Sequence, residues 1–163
     1  MKPTVYFATD HAGLEFKNQL LAYVRDDLGY DVTDCGPAVY DADDDYPDYI
    51  SLAAQKVSDS PKSRAIILGG SGQGEAMVAN RFAHVRAAVF YGEPLTPQVD
   101  ASGQTLSMIQ SSRDHNDANV LSLGARFLTL ETAKKAVALW LERDFSGEER
   151  HIRRIKKIDQ VRR

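Results

Sequence analysis

Residues 64–80 read Arg64-Ala-Ile-Ile-Leu-Gly-Gly-Ser-Gly-Gln-Gly-Glu-Ala-Met-Val-Ala-Asn80. The short apolar run from Ala65 to Leu68 predicts a buried strand. It breaks into Gly69, Gly70, Gly72 and Gly74, with Ser71 and Gln73 between them, and Glu75 opens a helical pattern through Val78 and Ala79. Strand, glycine turn and helix start is the way a parallel α/β sheet offers backbone N–H groups to an anion. Such turns also occur with no ligand, and an acidic residue in a first helical turn also favours the helix dipole. A cradle that only binds phosphate gains nothing from a carboxylate beside it. One that stabilises a transient oxyanion gains a general base.

Working outward, strands and helices alternate. Thr4–Thr9 predicts a first strand ending in Asp10-His-Ala-Gly13, followed by a helix carrying Leu14, Leu20, Leu21 and Val24. Asp31–Cys35 predicts a second strand, and Tyr46-Pro47 opens a second helix. Val85–Tyr91 and Asn119–Leu123 predict strands four and five, and a helix follows from Thr129 or Glu131. This alternation implies a Rossmann-like α/β sandwich around a five-stranded parallel sheet, expected in the order 2-1-3-4-5. In that order the crevice beyond the strand ends falls between strands one and three, so Asp10-His11 faces the glycine loop. The 163 residues fit a single domain, with a C-terminal helix over 148–163.

Composition narrows the function classes. The net charge of −3 implies no nucleic-acid partner. No apolar run is long enough to span a membrane, and a cytoplasmic enzyme or binding protein is expected. Cys35 is the only cysteine, which excludes an internal disulfide and reads as a small buried hydrophobe. No Cys/His spacing suits zinc, so no metal or other cofactor is expected. The acidic stretch Asp41–Asp45 lacks the pattern of a calcium loop and reads as solvated.

Several side chains then become candidates. Asp10-His11 lies at the expected switch point: His11 is available as phosphate ligand or proton relay, Asp10 as acceptor for a sugar hydroxyl. His115, in Asp114-His-Asn-Asp117, is a turn residue by default and also a natural acid near neutral pH. Arg150 and Arg154, four residues apart, share a helix face and form a fork suited to a phosphomonoester. The apolar stripe Ile152, Ile155, Ile158 and Val161 on the same basic tail, which ends in Arg162 and Arg163, is suited to docking on a second subunit. A dinucleotide fingerprint is nearly matched by Gly70-Ser-Gly72-Gln-Gly-Glu75, but its third glycine position holds Glu75.

In order along the chain, Asp10-His-Ala-Gly13, Asp45-Tyr-Pro47, Gly70-Ser-Gly-Gln-Gly74 with Ala79-Asn80, His115-Asn116, Gly124-Ala-Arg126 and Arg150-His-x-x-Arg154 resemble the ribose-5-phosphate isomerase B family. That family lies within the sugar-phosphate isomerases that include the galactose-6-phosphate isomerase subunits. The resemblance covers nearly the whole chain. It implies a metal-free aldose–ketose isomerase acting on a small-molecule sugar phosphate, as a homodimer with a shared active site or a tetramer. One branch carries a cysteine base where this chain has Gly69; the other uses a glutamate placed like Glu75, and this sequence looks like the second. By the same resemblance, Glu75 moves a proton between C1 and C2, and the N–H groups of Gly70 to Gly74, Gly72 among them, hold the enediolate. Asp10, Ser71 and His115 assist ring opening and hydroxyl binding. His11, Arg150 and Arg154 hold the phosphate, Tyr46 lines the sugar site, and His115, Asn116 and Arg126 come from the partner subunit.

The expected reaction is D-ribose 5-phosphate to D-ribulose 5-phosphate through a cis-enediolate. Two alternatives stand beside it: the same chemistry on allose or galactose 6-phosphate, and a non-catalytic nucleotide-binding or flavodoxin-like module. The segment from Gly92 to Asn116 is longer than an ordinary connection. It is the place where substrate choice or the subunit interface would differ from compact family members.

Overall fold

The structure is a computed structural model describing residues 2–94, 96, 99, 100, 103 and 105–161. Five strands, β1 (Val5–Ala8), β2 (Val32–Asp34), β3 (Arg64–Gly69), β4 (Ala87–Phe90) and β5 (Val120–Gly124), form one parallel sheet. Six helices accompany them: α1 (Leu14–Ala22), α2 (Tyr46–Asp59), α3 (Gln73–Ala79), α4 (Met108–Asn116), α5 (Leu130–Glu142) and α6 (Glu149–Asp159). The basic residues Arg162 and Arg163 of the tail, and part of the 94–114 segment, lie outside the described residues.

The strand order is β2-β1-β3-β5-β4, not the expected 2-1-3-4-5. The reason lies in what each strand can hide. Every residue of β5 is buried, whereas three of the four in β4 are only partly so. An edge position would leave Val120, Leu121 and Leu123 half-covered, so β5 takes the interior place and β4 the rim. The crevice between β1 and β3 survives this exchange. The chain leaves β1 on one side for β2 and returns on the other for β3 in either order.

Right-handed crossovers then sort the helices. Steps in one direction along the sheet, β1 to β2 and β4 to β5, put α1 and α4 on one face; the opposite steps put α2 and α3 on the other. Alternation within the strands matches. Ile66 and Leu68 of β3 pack with Leu20, Ile109, Val137 and Trp140, while Ala65 and Ile67 pack with Ile50, Ala53, Val57 and Ala79.

The lower rim, at the strand N-termini, is fastened by arginines. Buried Arg64 donates to the carbonyls of Trp140, at 2.9 Å, and Leu141, closing the C-terminus of α5. Burial pulls its pKa down to about 10. Arg113 of α4 donates to Asp117 at 2.8 Å and to the carbonyl of Arg143 at 3.0 Å, and Arg143 grips both oxygens of Asp114 at 2.6 Å. These bonds set the end of α4, which carries His115 and Asn116, against the loop leading to α6. Leu121, wholly buried in β5, reports on the central packing. Leu121→Ala is expected to lower the unfolding free energy by roughly 2–5 kcal/mol, measured as an earlier urea midpoint at unchanged slope.

Candidate active site

The glycine loop is shaped by what holds its carbonyls. Thr9 Oγ1 donates to the carbonyl of Leu68 at 2.9 Å, Ala125 N–H to that of Gly69 at 2.9 Å, and Arg126 N–H to that of Gly70 at 3.2 Å. Ser122 Oγ, wholly buried on β5, donates to the carbonyl of Gly72 at 2.6 Å. A trans peptide points its C=O and N–H in opposite directions. The N–H groups of Gly70 and Ser71 therefore face away from β5 and the segment that follows it, and that of Gln73 donates to Ser71 Oγ at 3.3 Å. Gly72 turns the chain at φ 73°, a left-handed conformation in which a Cβ would also lie 3.0 Å from the backbone of Leu123.

Glu75 stands in the first turn of α3 and is 5% exposed. Its carboxylate lies over Gly69 so closely that any Cβ at that position would overlap it. Burial raises the pKa of Glu75, a backbone hydrogen bond partly opposes this, and the nearby charge of Asp10 adds to it. Burial suits a proton acceptor, because a carboxylate stripped of water is a stronger base than an exposed one.

Around this pair the structure gathers much of the expected set. Asp10, buried at the end of β1, accepts the N–H of Ala12 at 3.0 Å. The Tyr46 ring lies against Gly74, where a Cβ would come within 2.7 Å of the phenol oxygen. Half-buried Ser71 lies in the loop itself. His11, in the turn after β1, faces Asp44: its Nδ1 is 2.6 Å from Asp44 Oδ1, which also accepts its backbone N–H at 3.1 Å. One ligand-type atom each of Asp10, His11 and Asp44 lies within 4.8 Å of the others, and His11 Nδ1 is held by Asp44.

Two expectations are corrected here. Arg126, expected from a partner subunit, belongs to the same chain's site: its guanidinium lies 3.2–3.3 Å from where a Cβ on Gly70 would stand. The turn after β5, tied to Gly70 by backbone, delivers it. The acidic loop is not wholly solvated either, since the Asp44 side chain is 4% exposed. Asp44 and Ser122 are the residues that the sequence reading missed. Nothing in a run of aspartates distinguishes Asp44, but Ser122 was visible as the one polar residue inside the apolar strand Val120–Leu123.

The other candidates are elsewhere. His115 and Asn116 end α4 just before β5 begins, so the length of β5, about 16 Å, separates them from the glycine loop at its far end. Arg150 belongs to the same lower end, because His151 beside it packs against His115, with ring centroids 4.5 Å apart and planes tilted by 48°. Arg154 stands one helical turn further along α6, exposed. His151 is buried, and that burial, with His115 close by, lowers its pKa. A cavity of about 570 Å³ opens beside His115, lined by Ala88, Val89, Leu106, Ser111 and Asn116. The expected residues thus fall into two groups, one at each end of the sheet, that do not meet within a single copy.

Comparison with known proteins places the fold and these motifs together. The family described as Ribose/Galactose Isomerase matches residues 5–158. The chain is 35% identical to the ribose-5-phosphate isomerase B of Mycolicibacterium paratuberculosis over 98% of its length and 91% of that protein's. It is 34% identical to the ribose-5-phosphate isomerase B of Escherichia coli, over 96% and 95%. Among solved structures, ribose-5-phosphate isomerase B from Mycoplasma genitalium with bound ribulose-5-phosphate superposes with a TM-score of 0.84 at 35% identity, covering 98% of this chain and 96% of that one. The chain belongs to the ribose/galactose isomerase family.

Proposed function

We propose that this protein interconverts D-ribose 5-phosphate and D-ribulose 5-phosphate, with Glu75 as the base. The observation that carries the reading is the buried Glu75 carboxylate set against a loop whose N–H groups are turned out for an anion. The relatives' activity, and the ribulose-5-phosphate held by the Mycoplasma genitalium protein, fit that arrangement. In the open-chain aldose, Glu75 removes the proton on C2, the glycine-loop N–H groups take up the charge on the enediolate oxygens, the hydroxyl proton passes from O2 to O1, and the protonated Glu75 returns a proton to C1. An α-hydroxy carbonyl is a weak carbon acid, so this transfer depends on stabilising the oxyanion. Asp10, Ser71 and Tyr46 surround the sugar, and His11 and Arg126 stand beside the loop on the same chain.

Ring opening and full phosphate capture need the second group. We place His115 and Asn116, with Arg150 and Arg154, in a second copy of the chain, completing the site across a homodimer. The apolar residues Ile152, Ile158 and Val161 at the C-terminal end are uncovered in one copy, which favours such docking. We place the enzyme in the cytoplasm together with its substrate, since the charge of a phosphate ester keeps it from crossing a membrane unaided. The cavity beside His115 favours a second reading, the same reaction on a 6-phosphorylated hexose, which has one carbon more to house.

The assay follows ketose formation from ribose 5-phosphate, and in parallel from allose 6-phosphate, with EDTA present. Ribose 5-phosphate is expected to be the better substrate, with activity unaffected by the chelator. Glu75→Gln should lower kcat by about a thousandfold or more while the dissociation constant for substrate stays near that of the parent. The pH profile carries a second check. The base acts only when ionised, so kcat/KM falls as pH drops through the pKa of Glu75. Burial raises that pKa, and the acid limb should lie above the range of an exposed glutamate. Asp10→Asn removes a neighbouring negative charge and should move the limb to lower pH. Finally, inactive Glu75→Gln and inactive His115→Ala chains, unfolded and refolded together in equal amounts, should recover about a quarter of parental activity, because half of the dimers then carry one intact site.

A further inference from the structure

His11 presents two donors to one atom. Its backbone N–H and its ring Nδ1 converge on Asp44 Oδ1, at 3.1 and 2.6 Å. A single carboxylate oxygen accepting both fixes the rotation of the ring and leaves Nε2 as the nitrogen free to meet a ligand. The Asp44 side chain is 4% exposed, while Asp41, Asp43 and Asp45 around it are exposed. Its second oxygen is buried with no hydrogen-bond partner among the described residues. Burying a carboxylate in this state is unfavourable unless a nearby cation offsets it.

The loop presenting Asp44 is anchored. The buried ammonium of Lys17 donates to both oxygens of Asp34 at 2.7 Å and to the carbonyl of Pro37 at 2.8 Å, fixing one end. Asp44 N–H closes a turn on the carbonyl of Asp41 at 3.3 Å, and α2 begins two residues later. Tyr40 stands edge-on to His11, with ring centroids 6.0 Å apart.

We propose that Asp44 is a positioning residue for phosphate capture, holding His11 by Nδ1 so that Nε2 carries a proton toward the phosphate group of the substrate. This rests on His11 being a phosphate ligand in the proposed function. A phosphate dianion has only acceptors, and a neutral imidazole protonated on Nδ1 would meet it with a lone pair. The imidazolium meets it with an N–H. The groups facing His11 are Asp44 from the loop, Asp10 from the end of β1 and Arg126 from the turn after β5. The Asp44 hydrogen bond is the largest influence and raises the pKa; Asp10 adds to it, and partial burial and Arg126 oppose it.

Asp44→Asn tests this, since the amide keeps the shape and an acceptor oxygen but loses the charge. The probes are inorganic phosphate and ribose 5-phosphate, and the readouts are the NMR titration midpoint of the His11 ring, assigned with His11→Asn, the phosphate inhibition constant and KM. In Asp44→Asn the midpoint should fall. Near pH 8 the inhibition constant and KM should rise about tenfold, converging on the parent near pH 6, with kcat changed by less than about twofold. An unchanged midpoint, or a KM that rises equally at both pH values, overturns the role of Asp44. If His11→Asn leaves the inhibition constant unchanged, His11 is not a phosphate ligand and the proposal falls with that reading. If His11→Asn raises it and Asp44→Asn does not, only the role of Asp44 falls. Asp44→Ser takes the same measurements if the asparagine variant does not fold.

Discussion

The Glu75 carboxylate and the bare α-carbon of Gly69 occupy one space, and the upper rim of the sheet is arranged around that fact. A side chain at 69 and an inward carboxylate at 75 exclude each other sterically. With position 69 empty, the acid folds back over the end of β3, loses water and gains basicity. The cradle beside it depends on the same economy of atoms: Gly72 turns where another residue would be strained, and Ser122 and the turn after β5 draw the loop carbonyls away. A buried carboxylate and outward-turned backbone N–H groups then stand within one loop, fastened to two strands rather than left to the loop's own preferences.

Much of this was legible because it is local. Strand, glycine turn and first helical turn follow one another within 64–80, and each is recognised by short-range rules of φ/ψ, burial and capping. The place of Asp10-His11 opposite them was legible too, since β1 lies between β2 and β3 in either strand order. What sequence could not supply was competition between distant parts. The interior place of β5 follows from comparing its burial with that of β4, two segments separated by the long Gly92–Asn116 stretch. Arg126 was assigned to the wrong copy because a motif shows that residues act together, not which copy supplies them. Asp44 looked like its exposed neighbours, and only the packed structure singles it out.

The lower end of the sheet shows the same limit from the other side. His115-Asn116 and Arg150-His-x-x-Arg154 were visible as separate motifs, and the structure unites them through the tilted contact of the His115 and His151 rings and the bonds of Arg113 and Arg143. These bonds are structural, yet they set how rigidly His115 is presented. Ser146 contributes as well: its hydroxyl donates to the carbonyl of Asp114 at 2.6 Å and lies 2.9 Å from His151 Nδ1. With its hydrogen spent on that carbonyl, the serine must accept from the imidazole, so His151 carries its proton on Nδ1.

The empty position 69 has a further consequence, in redox chemistry. Thiolates are the side chains that peroxide and electrophiles attack first. Cys35, the chain's only cysteine, lies beyond the end of β2 with its thiol pushed toward the protonated, unreactive form by burial and the neighbouring Asp34. Among the described residues, the groups gathered at the crevice between β1 and β3 are the carboxylates of Glu75, Asp10 and Asp44, the imidazole of His11 and backbone amides. Chemistry placed on that set does not pass through a thiolate, so the oxidation that silences a thiol-dependent site has no target among these groups.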